Sequence, residues 1–126
     1  MQKKDFPVHS RLRQALRDLI RELEASLEVA FHRSPLVQGN VYELARKCGK
    51  PNCVCTRGQL HRSMVLTWSE GGKSRLFSIP AERVGELKEK SEEYLRVRRA
   101  RARVTEICRE IIAVLDQMEK LRREEP

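Results

Sequence analysis

Apolar residues recur at steps of three and four in two parts of this chain and alternate with polar residues in a third. Leu12, Leu16, Leu19, Leu23, Leu27 and Ala30, with Ile20 and Phe31 beside them, form one stripe. That spacing predicts an amphipathic helix over residues 10–32. Ser10 is the expected N-cap, its hydroxyl accepting from a free first-turn amide. Ser34-Pro35 is the expected stop, because the residue before proline is pushed out of the α region. A second stripe runs Tyr94, Val97, Val104, Cys108, Ile111, Leu115 and Met118, widened by Ile107, Val114 and Leu121. It predicts a helix over 80–123, with Pro80 at the first helical position where its missing amide costs nothing. Glu86 to Lys90, Glu92 to Arg96, Asp116 to Lys120 and Glu119 to Arg123 are favourable i, i+4 pairs on its solvated side. Arg101 interrupts the stripe where an apolar residue was due. At 1.5 Å per residue the second helix would reach about 65 Å and the first about 35 Å, so one cannot cover the other. Either the long helix breaks near Ser91, or a second copy covers the remainder. A helical homodimer is expected.

The alternating stretch is different in kind. Met64 to Ser69 and Lys73 to Ile79 flank Glu70-Gly71-Gly72. Gly-Gly supplies the positive φ angles of a two-residue hairpin turn. With that turn, Glu70 faces Lys73, Trp68 faces Arg75, Leu66 faces Phe77 and Met64 faces Ile79. One face then carries Met64, Leu66 and Trp68 against Arg75, Phe77 and Ile79, almost wholly apolar. Turn chemistry and alternation agree on the register. Asn40 to Lys47, with Val41, Tyr42 and Leu44, is a candidate third strand. The expected fold is therefore α+β: two long helices flanking a small two- or three-stranded antiparallel sheet with a cysteine-rich loop. The 126 residues are read as a single domain, with a helix at 10–32, the cysteine loop and hairpin at 40–79, and a long helix at 80–123.

Composition narrows the class. No apolar run approaches the roughly 18 residues that cross a bilayer, so no membrane span is expected. Met1 to Pro7 has no apolar core of a secretory signal, so the cytoplasm is the expected compartment. There, cysteines serve as ligands or thiols rather than disulfides. The chain's net charge is +8, and residues 33–75 hold +6 of it, eight basic side chains against Glu43 and Glu70. That segment also holds three of the four cysteines. Charge gathered about one motif points to an anionic partner or an anionic centre to be neutralised.

The motif is Lys47-Cys48-Gly49-Lys50-Pro51-Asn52-Cys53-Val54-Cys55-Thr56-Arg57-Gly58-Gln59-Leu60-His61-Arg62, with spacing C-x4-C-x-C-x5-H. Gly49, Pro51-Asn52 and Gly58 are turn formers that let the chain curl. A tetrahedral structural Zn2+ takes four Cys or His ligands, and Cys48, Cys53, Cys55 and His61 would supply them. Such a centre carries one negative charge, which Lys47, Lys50, Arg57 and Arg62 would offset. Against zinc stands the x between Cys53 and Cys55: on an extended strand they point to opposite faces. Two other readings stay open. The cysteines are small, partly buried thiols in a tight loop, with His61 an ordinary polar residue, or they carry thiol redox chemistry. Cys108 lies on the helical stripe and is expected in the core.

Cys48-Gly49-Lys50-Pro51-Asn52-Cys53, with Cys55, Gly58 and His61, resembles a family of small uncharacterised bacterial and archaeal proteins. They share a C-G-K-P-x-C-x-C…G-x-x-H segment, then a G-G-K hairpin and a long basic helix. The likeness runs from about Gly39 to beyond Ile79, with helices at either end in the same order. Members continue after the histidine with Gly-Pro and aromatic residues, whereas this chain has Arg62-Ser63-Met64, so stacking there is not implied. The resemblance implies a metal site at Cys48, Cys53, Cys55 and His61 and says little about a substrate.

Two functions are carried forward. One is a nucleic-acid-binding module, in which Lys47, Lys50, Arg57 and Arg62, with the helix run Arg96, Arg98, Arg99, Arg101 and Arg103, neutralise phosphates. The bland reading of that run is a solvated helix face. The other is a protein-interaction adaptor built on a helical homodimer. An enzyme is not expected, nor a small-molecule substrate: His9, His32 and His61 belong to no recognisable acid–base set, and no phosphate loop or H-E-x-x-H occurs.

Overall fold

A computed structural model describes residues 1–126, the side chain of Cys55 excepted. The chain order is helix α1 (Phe6–Ala30), strands β1 (Asn40–Arg46), β2 (His61–Glu70) and β3 (Lys73–Ser78), and helix α2 (Val84–Arg122). Two long helices and a small antiparallel sheet make this an α+β protein, as the periodicities predict. Two compact units result: residues 34–95, and residues 1–33 together with 96–126.

The helix boundaries differ from expectation. α1 begins at Phe6, after a 3-10 turn at Lys3–Asp5, and Pro7 sits in its first turn. Ser10 is thus inside the helix and caps nothing, because proline at the first turn starts the helix earlier with no amide to satisfy. α1 also ends early, at Ala30, where Phe31 N donates to Leu27 O and His32 N to Val29 O. Ser34-Pro35 lies past that end. Pro80 opens a short 3-10 turn, Ala81–Arg83, which runs into α2. α2 is continuous over 39 residues and does not break at Ser91. The Ser91 hydroxyl instead donates to Gly39 O, and Val37 N donates to Lys90 O.

In the unit of residues 34–95 the strand order is β1-β2-β3, all antiparallel. The hairpin register is the predicted one: Glu70 opposite Lys73, Trp68 opposite Arg75, Leu66 opposite Phe77. Ile79 N donates to Met64 O, extending it. The third strand is real and pairs Asn40 with Thr67 through Arg46 with His61. Leu66, Ile79 and Leu87 form the core, with Val37, Val41, Met64, Trp68 and Val84 packed around them. Phe77 shares the face of Leu66 but is not buried there. It lies on the edge strand, exposed, with the Arg83 guanidinium 5.9 Å above its ring. Val65, on the opposite face of β2, is fully buried.

In the other unit, α1 and the C-terminal part of α2 run antiparallel. Met1 N lies 3.6 Å from Glu124, and Arg103 bonds Glu22. Ile107 is its one fully buried side chain among the described residues. Cys108, expected in the core, is exposed, because the face turned towards α1 passes through Ile107 and Ile111, one position round the helix.

Candidate metal centre

The cysteine segment is the connection of a β-hairpin. β1 and β2 pair down to Arg46 opposite His61, which closes the neck of a loop spanning residues 47–60. Each turn in that loop has a local cause. Gly49 and Gly58 adopt positive φ, 82° and 96°, which costs glycine little. Cys53 N donates to Lys50 O across Pro51-Asn52, a turn with proline preset at its second position. Thr56 closes a second turn, its amide and hydroxyl both donating to Cys53 O, at 3.1 and 2.7 Å. The 3-10 turn Val54–Arg57 follows and stops at Gly58.

These turns bring together residues up to thirteen apart in sequence. The sulfurs of Cys48 and Cys53 and a ring nitrogen of His61 all lie within 4.8 Å of one another. Cys53 Sγ is 3.0 Å from His61 Nε2. Ligands bound at about 2.0–2.3 Å to a tetrahedral zinc stand roughly 3.5–3.8 Å apart, and the group lies within 4.8 Å with its Cys53–His61 pair closer, at 3.0 Å. Two sulfurs and an imidazole are the donor set that borderline-soft divalent ions prefer. This Cys-Cys-His group can hold a metal ion. The fourth expected ligand, Cys55, has its side chain outside the described residues. Cys53 is extended, and the 3-10 turn Val54–Arg57 begins at the next residue. No disulfide joins Cys48, Cys53 or Cys108.

The cationic residues divide into two groups. Lys47, Lys50 and Arg57 are exposed around the loop, as is Arg62, whose Nη1 donates to Glu43 at 2.8 Å. Arg46, not singled out by the motif, faces His61 at the neck and is exposed. On α2, Arg96, Arg98, Arg99 and Arg101 are exposed. Arg103 is not available in the same way. It makes a bidentate bond to Glu22, 2.7 Å to each oxygen, and also meets Glu106 and Glu110 at 3.1 and 3.4 Å. Those bonds raise its pKa above the usual guanidinium value, and the bond from Arg103 holds the Glu22 carboxyl below its own. Arg103 ties two helices together.

Fold and loop together define a small α+β protein with a metal-competent Cys-Cys-His group at a hairpin tip. The chain belongs to a family described as a domain of unknown function (DUF6788), whose model matches residues 10–89. No curated protein and no solved structure matches it. Among the described residues, no helix is long and apolar enough to cross a membrane.

Proposed function

We propose that this protein is a nucleic-acid-binding module whose recognition loop is held in shape by a structural Zn2+. One observation carries the reading: Cys48, Cys53 and His61 converge within 4.8 Å at the tip of a hairpin whose residues 46–62 hold five cations and no carboxylate. Cys55 is the fourth ligand in this proposal, completing a Cys3His set with no position left for a substrate water. The role is binding, with no turnover. Zinc fixes a loop that lacks an apolar core of its own. The loop then presents Arg46, Lys47, Lys50 and Arg57 to phosphates, with Arg62 shared between that surface and Glu43. Contacts of this kind give affinity without base readout.

Two measurements test it. Protein purified without added metal is expected to carry one zinc per chain; Cys53→Ser and His61→Ala abolish it, and Cys108→Ser does not. Binding to generic duplex and single strands is expected to fall steeply as salt rises. A metal-free wild-type chain that keeps its loop would remove the zinc. A full complement of zinc with no nucleic-acid binding at low salt would remove the partner.

A further inference from the structure

We infer that a second copy of the chain packs on the α1–α2 unit through an antiparallel seam along α2. The inference rests on rows of side chains in residues 1–33 and 96–126 and is independent of the loop.

The inward row of α2 runs from Ala100 through Val104 and Ile107 to Leu121 at steps of four and three, and every member is buried or half-buried. The positions one residue further on repeat the same steps: Arg101, Thr105, Cys108, Ile112, Leu115 and Glu119. All six are exposed. Steps of four and three give a 3.5-residue repeat, the spacing of a helix–helix seam. Ile112 is 58% exposed and Leu115 43%, where a solvated helix face would be polar. α1 is mixed on the corresponding side: its inward row passes through Leu12, Leu16, Leu19 and Leu23, and the row one residue on holds Arg13, Arg17 and Glu24 as well as Ile20 and Leu27.

Both outer rows lie on one side of the helix pair. The residue after an inward one is turned about 100° round the axis, and in antiparallel neighbours this turn carries both helices' next residues to the same side. The preceding residues go to the other side. Arg103 and Glu22 each precede an inward residue, Val104 and Leu23, and they bond each other there. One side of the pair therefore carries the Arg103–Glu22 bond, and on the other α2 presents Thr105, Cys108, Ile112 and Leu115. A helix with such a face buries it against another element.

The seam on α2 is self-complementary about position 110. In an antiparallel pair, Cys108 faces the partner's Ile112, Thr105 faces the partner's Leu115, and Arg101 faces the partner's Glu119. Apolar residues meet at the centre, and an opposite-charge pair closes each end. A parallel pairing would instead set Arg101 against the partner's Arg101. Among the described residues, no carboxylate of its own chain pairs with Arg101. A face that matches its own two-fold image is the isologous interface of a homodimer.

The test is sedimentation equilibrium of the full chain across the micromolar range, with circular dichroism to follow helicity. A dimer is expected. Ile112→Glu, at an exposed position, yields a monomer of unchanged helicity. Arg101→Glu places like charges at both ends and weakens the dimer about tenfold. Adding Glu119→Arg to it restores the wild-type constant. A wild-type monomer, an Ile112→Glu dimer as tight as wild type, or a double variant no tighter than Arg101→Glu alone overturns the inference.

Discussion

Gly39 shows how one residue can fix the sheet that carries the loop. It stands just before β1 with φ at 127°, and a Cβ there would run into the carbonyl oxygen of Thr67, the residue paired with Asn40. Its own carbonyl accepts from Ser91, which is almost fully buried. Gly39→Ala therefore meets both a strained backbone and a backbone clash. It is expected to cost about 2 kcal/mol or more in chemical denaturation. Ser91→Ala, which removes only the hydroxyl donor, should cost about 1 kcal/mol. The metal ligands differ from Gly39 in how readable they are. Cys48, Cys53 and His61 could be proposed from residue type and spacing. Their convergence depends on Pro51-Asn52, Thr56 and Gly58 acting in sequence, and on the strand pairing that puts His61 at the neck. Spacing alone gives no account of that pairing, which is why redox and buried-thiol readings stood beside zinc.

At the scale of elements, the hairpin was legible because two unrelated constraints agreed. Gly71-Gly72 set a two-residue turn, and the alternation from Met64 to Trp68 set the face. The helices were legible as periodicities and less so as boundaries. Pro7 overrode Ser10 at the start of α1, and the chain left the helix at Phe31 before Pro35 could end it. Cys108 was misplaced for a clearer reason. α2 carries two apolar rows one residue apart, and which of them faces inward depends on where α1 lies, a fact absent from a helix's own sequence. Ile107 shows which row is the inner one. Its side chain is fully buried, so Ile107→Ala should destabilise by roughly 3 kcal/mol, from lost transfer energy and the cavity left behind. The bond between Glu22 and Arg103 gives the helix pair a pH dependence. Hydrogen bonding from Arg103, more than simple charge attraction, holds the Glu22 carboxyl below its usual 4.5. A carboxylate whose folded pKa is depressed stabilises above the usual value and loses that contribution as pH falls through the folded one. The stability gap between wild type and Glu22→Gln is thus expected to be present near neutral pH and to close in acid, as followed by thermal melts across pH.

For the whole molecule, the distribution of charge matters more than its total. Acidic and basic side chains nearly balance in residues 1–32 and 76–126, and the excess sits in 33–75. The structure divides the cations further. Arg103 is held by three carboxylates, and Arg62 by Glu43. Arg46, Lys47, Lys50 and Arg57 remain on a hairpin tip with no acidic residue among them. If the proposed zinc shapes this tip, metal and nucleic-acid binding must be linked, while the pair formed by α1 and the C-terminal part of α2 has its own buried residue, Ile107. Chelation is then expected to remove most of the affinity for a generic duplex at low salt and to leave the far-ultraviolet helical signal nearly intact. In the metal-loaded protein each phosphate contact contributes roughly −0.9 to the slope of log affinity against log salt, so four loop cations predict a slope near −3 to −4. Lys50→Glu with Arg57→Glu should flatten that slope by about two without releasing metal. Affinity that survives chelation unchanged, or a slope indifferent to both substitutions, would move the phosphate contacts from the loop to the exposed arginines of α2, Arg96, Arg98, Arg99 and Arg101.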